Sequence, residues 1–242
     1  MKNTLSFLFV SMILMYSCGK SNDNPSSKLP SKAETKPQYD NTSFGVYKGV
    51  IIGSSGYIIF RINNGDNEAK GYLTIDGRKD TLSTTQTITA GQPILNVKFI
   101  GNFSSMILNA DTDGYNARLT EIEIDGHPDD VAGIIFHENS TQQVFSYEGK
   151  ISGTLSGTIN LNRFAGNDTT HSIMKFNNNP TVYYGHGISF SADSVQLFFD
   201  EDGLGPAPPY YFRGKWGNDD LTGTWSDGNN INKGSFNVKR TY

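Results

Sequence analysis

From Phe44 onward the chain alternates apolar and polar residues with a period of two, in short runs cut by turn residues. In Leu155-Ser156-Gly157-Thr158-Ile159-Asn160-Leu161 the odd positions are apolar or Gly and the even ones polar. Ile58, Phe60 and Ile62, then Ile122 and Ile124, then Val195, Leu197 and Phe199 follow the same scheme. Successive side chains of a strand point to opposite faces, so each run predicts a half-buried antiparallel strand. Asp76-Gly77, Asp113-Gly114, Asp125-Gly126, Asp202-Gly203 and Asp227-Gly228 punctuate the runs, and Asp-Gly suits the positive φ angles of tight hairpins. No long window after the first residues has apolar residues at helical spacing, and Gly or Asn interrupts most of them. The expected fold class is all-β, an antiparallel meander.

The pattern also repeats itself. Tyr47, Gly49, Ile51 and Gly53 recur as Tyr147, Gly149, Ile151 and Gly153, 100 positions on. Leu108, Asp111, Asp113 and Gly114 recur as Leu197, Asp200, Asp202 and Gly203 at 89, and Asp129-Asp130-Val131-Ala132-Gly133 recurs as Asp219-Asp220-Leu221-Thr222-Gly223 at 90. The offset shrinks along the chain, which assigns the extra residues of the first copy to the polar stretch Arg78 to Pro93, read as a loop. The expected organisation is a first β repeat over 44–143 and a second over 144–242, each with room for about eight strands of ordinary length. Two small barrels or sandwiches in tandem satisfy this, as does one pseudo-symmetric barrel or sandwich with a shared core; the tandem arrangement is preferred.

Ahead of the repeats, Lys2 precedes an apolar run from Leu5 to Met15, shorter than the roughly 20 residues of a spanning helix, and it reads as a secretory signal over 1–17. The following Met15-Tyr16-Ser17-Cys18-Gly19 resembles the lipobox of bacterial lipoproteins. The resemblance implies lipidation of Cys18, attachment to a membrane through that lipid, and an envelope location at the outer membrane, periplasmic or surface-exposed. Cys18 is the only cysteine, so no disulfide partner exists in an oxidising compartment. Residues 18–43 hold Pro25, Pro30 and Pro37 among Ser and Lys and almost no large apolar side chain, the composition of a disordered tether.

Composition narrows the functional classes. The 26 Gly and 12% aromatics against 18% charged residues favour turns and pleated strands, and the formal charge of −4, or −5 once Lys2 leaves with the signal, argues against a nucleic-acid partner. His127, His137, His171 and His186 share no metal-like spacing, so no cofactor, metal or catalytic residue is assigned. Asn109-x-Asp111-x-Asp113-Gly114 resembles the first half of a calcium loop, but Thr120 stands where the bidentate acid belongs, and a hairpin turn explains these acids. Adjacent acids on a strand face opposite ways, so neither Asp129-Asp130 nor Asp219-Asp220 supplies both carboxylates of a glycosidase alone. The aromatic run near the proline-rich loop Gly203 to Pro209 is the richest candidate: Tyr183, Tyr184, Tyr210, Tyr211 and Trp216 form an expected stacking platform for a ligand, while Phe212 and Trp225 read as core. The expectation is an anchored, non-enzymatic binding or scaffolding module whose partner is a glycan, an apolar small molecule or an envelope protein. The alternatives are a carbohydrate-active hydrolase with dispersed carboxylates and a purely structural spacer.

Overall fold

A computed structural model describes residues 29–127, 131–166, 169–191, 193–201 and 210–242. The first eight strands are β1 (Gly45–Ile52), β2 (Gly56–Ile62), β3 (Ala69–Ile75), β4 (Arg78–Ser83), β5 (Ile94–Ile100), β6 (Ser104–Ala110), β7 (Arg118–Ile124) and β8 (Ala132–Glu138). They form one antiparallel sheet in the order β7-β6-β5-β4-β3-β2-β1-β8. The second eight are β9 (Val144–Gly153), β10 (Gly157–Phe164), β11 (Thr169–Phe176), β12 (Val182–Ser191), β13 (Ser194–Asp200), β14 (Tyr210–Trp216), β15 (Asp220–Asp227) and β16 (Lys233–Arg240). These close into a barrel in which β16 pairs with β9. The protein is all-β, with two tandem eight-stranded units. Only one short 3-10 turn, Pro37–Tyr39, interrupts this among the described residues.

The alternation read from the sequence delivers each interior. Ile58, Phe60 and Ile62 are fully buried inside the first unit, and Val195, Leu197 and Phe199 inside the second. The Asp76-Gly77 hairpin turns with φ of 50° and 73°, the doubly positive pair that matches the twist of the strands it joins. On β7 both Leu119 and Ile124 face inward, five residues apart, which strict alternation forbids. The register shifts on the β6–β7 ladder, and Glu121 takes a φ of 47° there, so a bulge switches the face.

The two units close differently. In the second, interior glycines sit opposite large rings: a Cβ on Gly185 would stand 2.6 Å from the Phe199 ring, and one on Gly214 2.9 Å from Phe236. Small against large residues is how a narrow barrel fills its bore with side chains. The first unit is a nearly closed barrel with two seams. β4 meets β5 through the single pair Ser83↔Ile100, and β7 and β8 share no ladder. Leu119 and Ile122 of β7 lie over Gly133 of β8 at one seam, and Phe60 of β2 packs on Phe99 of β5 at 4.7 Å across the interior.

Two expectations need correction. Arg78 to Pro93 is not a loop throughout: Arg78–Ser83 is β4, held because Leu82 and Asp80 turn inward. Asp80 accepts from the backbone N–H groups of Asn102 at 2.9 Å and Phe103 at 3.0 Å and from Ser104 Oγ at 2.7 Å, so it clasps the β5–β6 turn. The echoes at 89 and 90 also align strands of different rank. They set the sixth strand of the first unit against the fifth of the second, and the eighth against the seventh. The echo at 100 aligns true counterparts, since β1 and β9 both begin a unit and both pair with its last strand. Gly53 and Gly153 end these strands with φ of 119° and 132°.

Each unit has its own interior, and a third apolar cluster of Val50, Ile52 and Ile173 lies between them, flanked by Ala132, Ile134, Val182 and Tyr184. The outer faces of β1 and β8 thus dock on those of β10 to β12. Lys48, on that face of β1, is fully buried, and its ammonium meets the equally buried Glu138 at 2.6 Å and Glu34 at 3.1 Å. Glu34 also pairs with Arg61. Burial raises the Glu34 pKa, but Lys48 and Arg61 outweigh it and hold the carboxyl below its usual value. Asn160 Nδ2 donates to the Ile51 carbonyl at 2.6 Å across the junction, and Ser55 Oγ to Glu148 at 2.8 Å.

The segment before β1 straps both units. The Pro30 carbonyl accepts from Gln143 at 3.0 Å and from Arg240, Glu34 N–H donates to Glu138 at 2.7 Å, and Asp40 accepts from the Ser140 N–H and hydroxyl at 2.6 Å each. The tether reading of 18–43 therefore stops short: from residue 29 the chain is part of the fold, because Glu34, Thr35 and Asp40 find polar partners there. Removing one partner of a buried pair leaves an uncompensated charge. Lys48→Ala is expected to cost about 3–5 kcal/mol of unfolding free energy, and Lys48→Met with Glu138→Leu less than either single change. Chemical denaturation of Lys48→Ala, Lys48→Met, Glu138→Leu and the double variant checks this.

Candidate functional site

The five predicted aromatics do not form one platform. Strand alternation sends Tyr183 on β12 and Tyr210 on β14 into the second barrel, and their neighbours Tyr184 and Tyr211 out of it. Tyr183 is 4% exposed, and it meets Tyr210 edge-on at 5.0 Å. Phe176 packs on Tyr210 at 5.0 Å and on Trp225 at 5.5 Å, so these rings plug one barrel mouth. Burial first, then the Tyr183 hydroxyl, pushes Tyr210 up to about 12. Tyr184 flanks the junction between the units, and Tyr211 lies edge-on to Phe198 at 5.9 Å on the outer surface. Trp216 stands at the other end of β14, packed on Tyr147 at 5.3 Å and capped by the Arg163 guanidinium at 4.3 Å. The loop Gly203 to Pro209 lies outside the described residues, as does Cys18.

The acids take structural roles where they are described. Asp113 accepts from the Tyr115 N–H at 3.1 Å, Asp111 from Asn116 Nδ2 at 2.6 Å, and Asn109 from the Asn96 N–H at 2.8 Å, so the calcium-like motif spends these oxygens on its own turn and on the neighbouring β5. Asp219 is exposed and lies 3.7 Å from Arg240; Asp129 and Asp130 are outside the described residues. Among the described residues no three His, Asp or Glu side chains converge as a metal site.

Two concavities stand out among the described residues. A groove of about 620 Å3 runs over the outside of β13, β14 and β15, lined by Ser194, Gln196, Arg213, Lys215, Thr222 and Thr224. It is an open stretch of one sheet face, and most of these side chains are freely solvated. The second, of about 440 Å3, is more enclosed and lies where the units meet the open β7/β8 seam. The turn before β7 supplies Gly114, Tyr115 and Asn116, β8 and the turn after it supply Phe136, His137, Asn139 and Gln142, and the tip of β10 supplies Phe164. Pockets of 300–1,000 Å3 at unit boundaries, with apolar walls and a few convergent polar groups, are the usual form of a ligand site.

Alternation along β8 builds this cleft. Phe136 faces outward to meet Phe164 at 5.1 Å and His171 at 4.6 Å, while His137 turns inward onto Tyr47 at 4.7 Å. His137 Nε2 lies 2.8 Å from the Phe44 carbonyl oxygen. A carbonyl only accepts, so Nε2 carries the proton and Nδ1 keeps a free lone pair in the neutral ring. That lone pair lies beside Gly114: a Cβ there would stand 2.5 Å from Nδ1, and Gly114 has a φ of +85°. Burial lowers the His137 pKa, against the opposing pull of the Phe44 carbonyl, Asp40 and Asp113. Tyr115 stands 62% exposed at the rim.

The sequence reading passed over these residues because the cleft joins 114–117, 135–142 and 164 across two units. The one local trace is His137 itself, a polar side chain at an inward position of an otherwise apolar run. Compared with family models, with curated proteins and with solved structures, the chain matches none.

A His pKa below its unfolded value, about 6.5, means that the unfolded chain binds the proton more readily. The stability tied to neutral His137 is present above that value and lost as pH falls through the folded pKa. His171, also lowered by burial, acts in the same sense. Unfolding midpoints measured from pH 7.5 down to 5 should fall in the wild type and fall less in His137→Gln; parallel curves would refute the assignment.

Proposed function

We propose that the protein is a lipid-anchored module of the cell envelope, at the outer membrane or cell surface, that binds or scaffolds a partner without carrying out a chemical step. The anchor rests on Met15-Tyr16-Ser17-Cys18-Gly19 and on the absence of a second cysteine. The observation that carries binding is the cleft at the β7/β8 seam, walled by Phe136 and Phe164 from different units and edged by Asn116, Asn139 and Gln142. Such a wall is rigid because both units hold it, and a rigid site binds without a large ordering cost. The strap from Pro30 to Phe44 borders it, through Asp40 on Ser140 and the Phe44 carbonyl on His137, so a tether ending at Pro30 leads directly into the folded body.

Two measurements test the reading. Cells given a labelled fatty acid should label the wild-type protein and leave Cys18→Ala unlabelled; equal labelling of both ends the anchor. The purified protein, offered a panel of envelope glycans and proteins, should retain at least one of them unaltered. Turnover of an offered glycan would overturn the non-enzymatic part.

A further inference from the structure

We infer that the cleft at the β7/β8 seam is a site for a neutral, polyhydroxylated ligand, a short uncharged oligosaccharide. This rests on the cleft being the binding site and goes on to name what it takes. The lining combines two kinds of surface. Phe136, Phe164 and the exposed Tyr115 present aromatic carbon, and Asn116, Asn139 and Gln142 present planar amides. A sugar ring has the same double character: its C–H faces pack on aromatic rings, and its hydroxyls both donate and accept, as a side-chain amide does.

Charge narrows the class further. No Lys or Arg lines the cleft. Acids stand beside it in the turn that supplies Tyr115 and Asn116: Asp111 holds Asn116 Nδ2, and Asp113 is in the same turn. A carboxylate, phosphate or sulfate would enter without a counter-charge and against these acids, which is unfavourable in a recessed site. A purely apolar ligand would desolvate the Gln142 amide, Asn116 Oδ1, Asn139 Nδ2 and the His137 lone pair and return no hydrogen bond, the other atoms of the two Asn amides being bonded to Asp111 and Thr141. A hydroxyl group fits that lone pair: with Nε2–H committed to the Phe44 carbonyl, Nδ1 can only accept in the neutral ring, and a hydroxyl donates. The imidazole is held between Tyr47 and Gly114, so its acceptor is fixed before a ligand arrives.

The test uses the full-length protein and isothermal titration with neutral oligosaccharides of glucose, mannose, galactose and N-acetylglucosamine. Polygalacturonate and alginate oligomers are the anionic comparison, and the uncharged dye N-phenyl-1-naphthylamine is the apolar one. At least one neutral oligosaccharide should bind. Tyr115→Ala and Asn116→Ala, both on the exposed rim and removed from the core, should each weaken it about tenfold or more, while Arg213→Ala in the other groove leaves it unchanged. Binding that survives both rim changes, or is lost with Arg213→Ala, overturns the cleft as the sugar site. Preference for the anionic oligomers or the apolar dye overturns the ligand class yet leaves a binding module standing. If no neutral sugar binds at about 10 mM while an envelope protein is retained, the inference fails and the proposed function survives. Retention of nothing sinks both.

Discussion

A lysine with no exposed surface sits where two barrels meet, and most of the architecture follows from how its charge is compensated. Lys48 lies on the outer face of β1, a position that a lone barrel would leave in water. Docking the second unit removes that water, and burying an isolated ammonium costs several kcal/mol even after relaxation. Glu138 from β8 and Glu34 from the strap supply the counter-charges, at 2.6 and 3.1 Å. The pair therefore constrains three things together: the docking of the units, the course of the strap, and the position of the end of β8.

The last of these connects the junction to the cleft. On β8, Phe136, His137 and Glu138 are consecutive and alternate in direction. Glu138 is locked to Lys48, Phe136 is pressed on Phe164 of the other unit, and His137 in between is turned inward onto Tyr47. The side chains that wall the cleft are thus held by the contacts that hold the units together. β8 makes no ladder with β7, and the space at that end of the seam is what the cleft occupies. In the second barrel every strand has two ladder partners, and among the described residues the bore is filled by rings set against glycines.

Residues 44 onward made their strands legible because alternation and Asp-Gly turns are local properties. The faces of β2, β10 and β13, the hairpin at Asp76-Gly77, the eight strands per unit and the equivalence of β1 with β9 could all be read from the chain. Local patterning says which face a residue takes and nothing about what lies across from it. That is why five aromatics close in sequence were grouped as one surface, although adjacent tyrosines on a strand must part: Tyr183 and Tyr210 went to the bore, Tyr184 and Tyr211 to the outside, and Trp216 to the far end. The echo at Asp219 misled for a related reason, since a turn followed by a strand recurs wherever a meander reverses, whatever the rank of the strand.

What the sequence by itself determined is therefore most of the strand content, the turn chemistry and the inward set of the strands that alternate regularly, all governed by the pleat and by backbone φ preferences over a few residues. Only the tertiary structure decided which unit closes, that Lys48 is buried rather than solvated, and that Tyr115, His137 and Phe164 surround one space. These depend on lateral partners up to 210 residues apart, as between Pro30 and Arg240, and on water being excluded from a surface that exists only once both units have formed.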